Sequence, residues 1–145
     1  MSKTNFNFAK PVARYDMARA NDGITKAIYD ENKTYYGHWT FGLQDDANPR
    51  VRVNKQKYNR VHAERTEGMT ELEKLVDVFV ELYLKGWDGI LDGDGKKMPY
   101  SKEAAKAYLN HEDFYIVFEQ LWPMSHNVKL FQNESVKSKD EETGN

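Results

Sequence analysis

Few residues in this chain have a type and spacing that could do chemistry, and the acidic loop Asp92-Gly-Asp-Gly-Lys-Lys97 is the first to test. Asp92, Asp94 and Glu103 stand about where positions 1, 3 and 12 of an EF-hand calcium loop would place oxygen ligands. The next ligand position holds Lys96, a cation where an oxygen is needed, and Lys97 takes the place where the sharp turn requires glycine. The segment therefore reads as a solvated aspartate-glycine turn, and no metal is expected. His38, His62, His111 and His126 show no His-Glu-x-x-His pairing and no short His-x-His spacing, so a zinc site would need ligands from unrelated elements. A nucleophile elbow, a phosphate-cradling glycine loop and a dinucleotide fingerprint are all lacking. Carboxylates are plentiful, but none is forced beside another in an apolar run that would raise its pKa for acid–base work. The expectation is a protein without catalytic residues or cofactor, not an enzyme.

Two stretches carry binding character instead. Arg50, Arg52, Lys55, Lys57, Arg60 and Arg65, interleaved with Tyr58 and His62, form a basic run that could track phosphates, diluted by Glu64 and Glu67. Its plain reading is a solvated face, which makes nucleic acid an unfavoured partner. The last helical region gathers Phe114, Tyr115, Phe118, Trp122 and Phe131. Tyr115 and Trp122 cannot both share a narrow stripe with Phe114 and Phe118, so Tyr115, Trp122 and Phe131 are the candidate protein-interaction surface.

The elements that must position these residues follow from pattern. Residues 1–22 read as an irregular arm with one helical turn near Asp16–Asn21. After the turn signal Asn21-Asp22-Gly23, Ile24–Tyr29 and Gly37–Leu43 are β-rich runs joined by a polar loop, a hairpin pattern. Trp39, Phe41 and Leu43 alternate with polar or small residues, and Val51-Arg-Val53 is expected as a third short strand. A helix is expected over 55–65, with Gly68 beyond it. Thr70 and Glu73 then make a capping box at the head of the strongest helical pattern, whose stripe is Leu72, Leu75, Val76, Phe79, Leu82 and Tyr83, with an expected end at Gly86. Ile90-Leu91 and Met98-Pro99 flank a tight reversal. Ser101 caps a further helix that packs through Ala104, Ala105, Tyr108 and Leu109, and the last helix begins near Glu112 and must end or kink at Pro123.

These elements define an α+β class: a small amino-terminal antiparallel sheet of about three strands, followed by three to four packed helices. One domain over 23–132 is expected, β-rich over 23–53 and helical over 55–132, with a disordered charged tail over 133–145. The 145 residues carry 30% charged side chains, a net charge of −2 and no cysteine, which excludes a disulfide scaffold. The longest apolar stretch, Leu75–Leu84, is broken by Asp77 and Glu81 and falls short of a membrane span. With no secretory pattern at Met1-Ser-Lys-Thr-Asn-Phe6, the expected compartment is the cytoplasm.

The segment Gly86-Trp-Asp-Gly-Ile-Leu-Asp-Gly-Asp-Gly-Lys-Lys-Met-Pro-Tyr-Ser-Lys-Glu-Ala-Ala-Lys-Ala-Tyr-Leu109 resembles a passage of the tail assembly chaperones of long-tailed bacteriophages. There a helix ends at a tryptophan, an Asp-Gly turn follows, and a helix capped by Pro-aromatic-Ser comes next. The likeness extends more loosely to the Asn21-Asp22-Gly23 turn, to Asn48-Pro-Arg-Val-Arg52, and to Leu130-Phe131 before a charged tail. It implies a chaperone of the bacterial host cytoplasm that binds the tape measure protein, recruits the major tail-tube protein for polymerisation, and leaves before the virion is mature. A homo-oligomer and a longer frameshifted form are compatible with it. The alternatives are a structural tail or neck component of the virion and a nucleic-acid-binding regulator.

Overall fold

A computed structural model describes residues 6–133. Helix α1 (Met17–Asp22) opens the regular structure, capped by Asp16, whose carboxylate accepts hydrogen bonds from the Ala18 and Arg19 amides. Gly23 follows with φ +99°, a left-handed conformation that only glycine adopts at no steric cost, and turns the chain into strand β1 (Ile24–Tyr29). In the turn after β1, Asp30 Oδ1 accepts hydrogen bonds from the Asn32 and Thr34 amides, which returns the chain as β2 (Tyr35–Phe41). Trp39, Phe41 and Leu43 are all buried, as their alternation predicts.

The third strand is not Val51-Arg-Val53. Those residues lie inside α2 (Pro49–Arg65), which starts earlier than expected because Asn48 is its N-cap and Pro49 occupies the first turn, where a missing N–H is harmless. The Asn48 side chain accepts from the Arg50 amide and donates to Asn21 Oδ1, so the cap also ties α2 to α1. Helix α3 (Glu71–Leu82) carries the expected capping box at Thr70 and Glu73, with both reciprocal hydrogen bonds formed. It stops at Leu82, one turn before the expected end at Gly86, and Leu84–Asp88 become strand β3. The outer edge of β2 needs a partner for its N–H and C=O groups, and the order β1-β2-β3, antiparallel throughout, supplies it. Trp39 and Trp87 are directly opposed in that pairing, with ring centroids 5.2 Å apart and the rings edge to face.

After the reversal come α4 (Lys102–Asn110), capped by the Ser101 hydroxyl, a 3₁₀ turn at Glu112–Phe114, α5 (Tyr115–Ser125), and a second 3₁₀ turn at Val128–Phe131. Pro123 lies inside α5, and only two residues of helix follow it. The chain then tightens, with the His126 and Asn127 amides bonding three residues back. One core joins the sheet face (Ile24, Ile28, Trp39, Phe41) to α3 (Val76, Phe79, Val80), α4 (Ala105, Leu109) and α5 (Val117, Phe118, Leu121). Within the α3 stripe Leu75 is an exception, standing exposed while Asp77 is buried.

The expected amino-terminal arm is shorter than 22 residues. The Asp16 amide donates to the Phe131 carbonyl, Gln132 to the Arg14 carbonyl, and Tyr15 to Asp45, so residues 14–22 pack with the rest of the fold. Residues 6–13 are exposed and without regular structure, and the expected tail lies outside the described residues from 134 onward.

Candidate protein-binding surface

Helix α4 has two chemically different sides. Lys102 and Lys106 point toward α3, whereas Ala104, Ala107 and Tyr108 point the other way, a separation set by the 3.6-residue period.

The second side forms one wall of an apolar groove of about 260 Å³, completed by Trp87, Ile90, Leu91, Met98 and Phe114. Its frame is held in several directions at once. The Trp87 indole N–H donates to the Met98 carbonyl at 2.8 Å, and the Met98 amide donates to the Ile90 carbonyl at 2.8 Å. The reversal between them is closed by Asp92, whose carboxylate accepts from the Asp94 and Lys96 amides, each at 2.9 Å. This is the aspartate-glycine turn the sequence suggests, with its lead carboxylate occupied by backbone donors. Tyr108 and Phe114 stack face to face at 4.2 Å, and Trp87 meets Tyr100 and Tyr108 edge-on. Gly37, at φ +92°, permits the close approach of this layer to the sheet, since a Cβ there would lie 2.6 Å from Ile90 Cδ1. Burial, with Tyr36 nearby, pushes the Tyr108 phenol up to about 12. Leu91 and Met98 rim the groove at 59% and 39% exposure.

The first side of α4 faces a charge cluster. Asp77, 1% exposed, receives Tyr58 Oη at 2.7 Å and Arg65 Nη2 at 2.6 Å on one oxygen, and Lys106 Nζ lies 2.9 Å from the other. Glu81, one turn on, pairs with Arg65 and Lys102, each at 3.2 Å. Burial alone would raise the pKa of the Asp77 carboxyl, but the hydrogen bonds from Tyr58, Lys106 and Arg65 outweigh it and hold it below its ordinary value. A carboxylate so neutralised and enclosed is no general base; it locks α2 and α4 onto α3.

The sequence-predicted surface residues do not converge. Phe131 is fully buried against Phe41 and is a core residue, correcting its assignment to the surface. Tyr115 and Trp122 are half-buried along α5, Tyr115 beside Phe118, and Trp122 between Phe118 and His126. Neither lines the groove. The groove residues were visible in sequence only as a turn and a cap, because their convergence depends on the β3 pairing. The four histidines stay on separate elements, and among the described residues no group of three or more His, Cys, Asp or Glu side chains could hold a metal. Among the same residues no helix is long and apolar enough to cross a membrane.

Fold and surface together define a small α+β protein with an open apolar groove on a rigid frame. The family of the YdaY prophage protein matches residues 44–145, from just after β2 through the end of the sequence, and the chain belongs to that family, which makes it phage-derived. No curated protein and no solved structure matches it.

Proposed function

We propose that this chain is a tail assembly chaperone and not an enzyme, working in the host cytoplasm on the tape measure protein and the major tail-tube protein. The observation that carries the reading is the groove between β3 and α4, open, apolar and held on a hydrogen-bonded aromatic frame. A tape measure protein exposes apolar helical surface until the tube encloses it, and a helix laid into a groove through side chains one turn apart would shield that surface reversibly. Membership of a prophage family and the likeness of the Gly86–Leu109 segment to tail assembly chaperones support the same reading.

The test is co-expression with the tape measure protein of the same prophage. Soluble tape measure protein co-purifying with this chain, and lost with Leu91→Asp, is the expected result. A tape measure protein that remains insoluble while this chain elutes alone would overturn the reading, and recovery of this chain from purified virions would replace it with a structural tail role.

A further inference from the structure

A second surface, bordered by Lys102 of α4, has the opposite chemistry to the groove. An open cleft of about 340 Å³ separates α2 from the start of β3 and α4. Lys57 stands on one wall, Lys85 and Lys102 on the other, and Tyr58 lies in its floor. At its end a smaller cavity shares Lys85 and adds Arg50. Glu81, the acid in the cleft wall, is taken up by Arg65 and Lys102. Among the described residues Lys57 and Lys85 have no ion-pair partner.

Lys85 is the telling member. Its stem crosses the backbone at Gly23 and Gly42, where a Cβ would lie 3.2 and 3.6 Å from its side-chain carbons. The residue as a whole is exposed, yet its stem is packed against these glycines. That burial lowers its pKa, and Arg50 lowers it further; Asp22 opposes the shift and Lys102 adds to it. Cations gathered without a counter-charge cost stability, and an incoming anion would relieve that cost.

We propose that this cleft docks an acidic peptide segment of a partner protein, its carboxylates held by Lys57, Lys85 and Arg50. A peptide fits better than a nucleic acid. The Tyr58 ring is covered by His62 at 4.5 Å and by the Arg65 guanidinium at 5.5 Å, so it offers no free face for a base to stack on. Val61, exposed at the rim, and Leu82 give apolar contact to residues between the peptide's carboxylates. The surface is independent of the groove, so either can fail without the other.

The experiment is fluorescence anisotropy on the full chain with three labelled probes: a peptide alternating glutamate and leucine, its lysine counterpart, and a single-stranded oligonucleotide. Selective binding of the glutamate peptide, weakened by salt and by about tenfold or more in Lys57→Glu/Lys85→Glu, is expected, with the variant keeping a single cooperative thermal transition. Absence of binding, equal affinity in the variant, or preference for the oligonucleotide would overturn the proposal. Peptide binding only in the full-length variant Asp140→Asn/Glu141→Gln/Glu142→Gln would overturn it in favour of the chain's own acidic run as occupant.

Discussion

The two sides of α4 solve the same problem by different physics. Toward α3, Lys102 and Lys106 meet carboxylates, and Asp77 is held by Tyr58, Arg65 and Lys106 because a buried carboxylate without partners would be prohibitive. Toward β3, Ala104, Ala107 and Tyr108 meet aromatic and aliphatic surface that has no such requirement and is left open. A buried charge such as Asp77 must be paired within the chain. An apolar surface can wait for another chain.

The comparison breaks most sharply at Asp77. Asp77→Ala leaves Tyr58, Arg65 and Lys106 around an empty position and should cost about 3–5 kcal/mol by urea denaturation. Phe79→Ala, between the two regions in the shared core, should cost about 3–5 kcal/mol as well. Trp87→Ala should cost less than Phe79→Ala, since Trp87 is only half-buried.

The same contrast should appear in pH dependence. The Asp77 carboxyl is held low in the folded state, so its contribution is present above the unfolded value of about 3.9 and is lost as pH falls through the folded value. The Tyr108 phenol is pushed up to about 12, so its contribution is present below the unfolded value of about 10 and is lost as pH rises from there through about 12. Denaturant midpoints against pH should therefore fall at both extremes, and Tyr108→Phe should soften the alkaline edge alone.

Removing the helix cap with Thr70→Ala should cost about 1 kcal/mol. Smallest in stability is Leu91→Asp, expected within about 0.5 kcal/mol of the parent because the side chain is largely exposed. Its effect belongs in tape measure capture. A large loss of stability there would mean that the groove rim is structural and would erase the distinction between the two sides.

Local signals were the legible ones. The capping box at Thr70 and Glu73, the cap at Ser101, the alternation of Trp39, Phe41 and Leu43, and the first helical turn after Asp16 each depend on neighbours within a few residues. The stretch expected as a third strand carries a local helix signal of its own, since Asn48-Pro49 is an N-cap followed by a first-turn proline. Leu84–Asp88 carried no comparable sign. That segment begins as the tail of an amphipathic helical pattern and becomes a strand because β2 presents an unfilled edge and Trp39 a face for Trp87.

The sequence by itself determined the α+β class, the hairpin, the capped helices and the aspartate-glycine turn, because these rest on backbone preferences and on periodicities of two and 3.6 residues. Only the tertiary structure decided that Asp77, an apparent interruption of an apolar helix, is the buried centre of an ion-pair cluster. It alone buried Phe131, built the groove around Trp87, and gathered Lys57, Lys85 and Lys102 at one cleft. Each of these joins side chains from separate elements, and no pattern along one element records what another will bring to it.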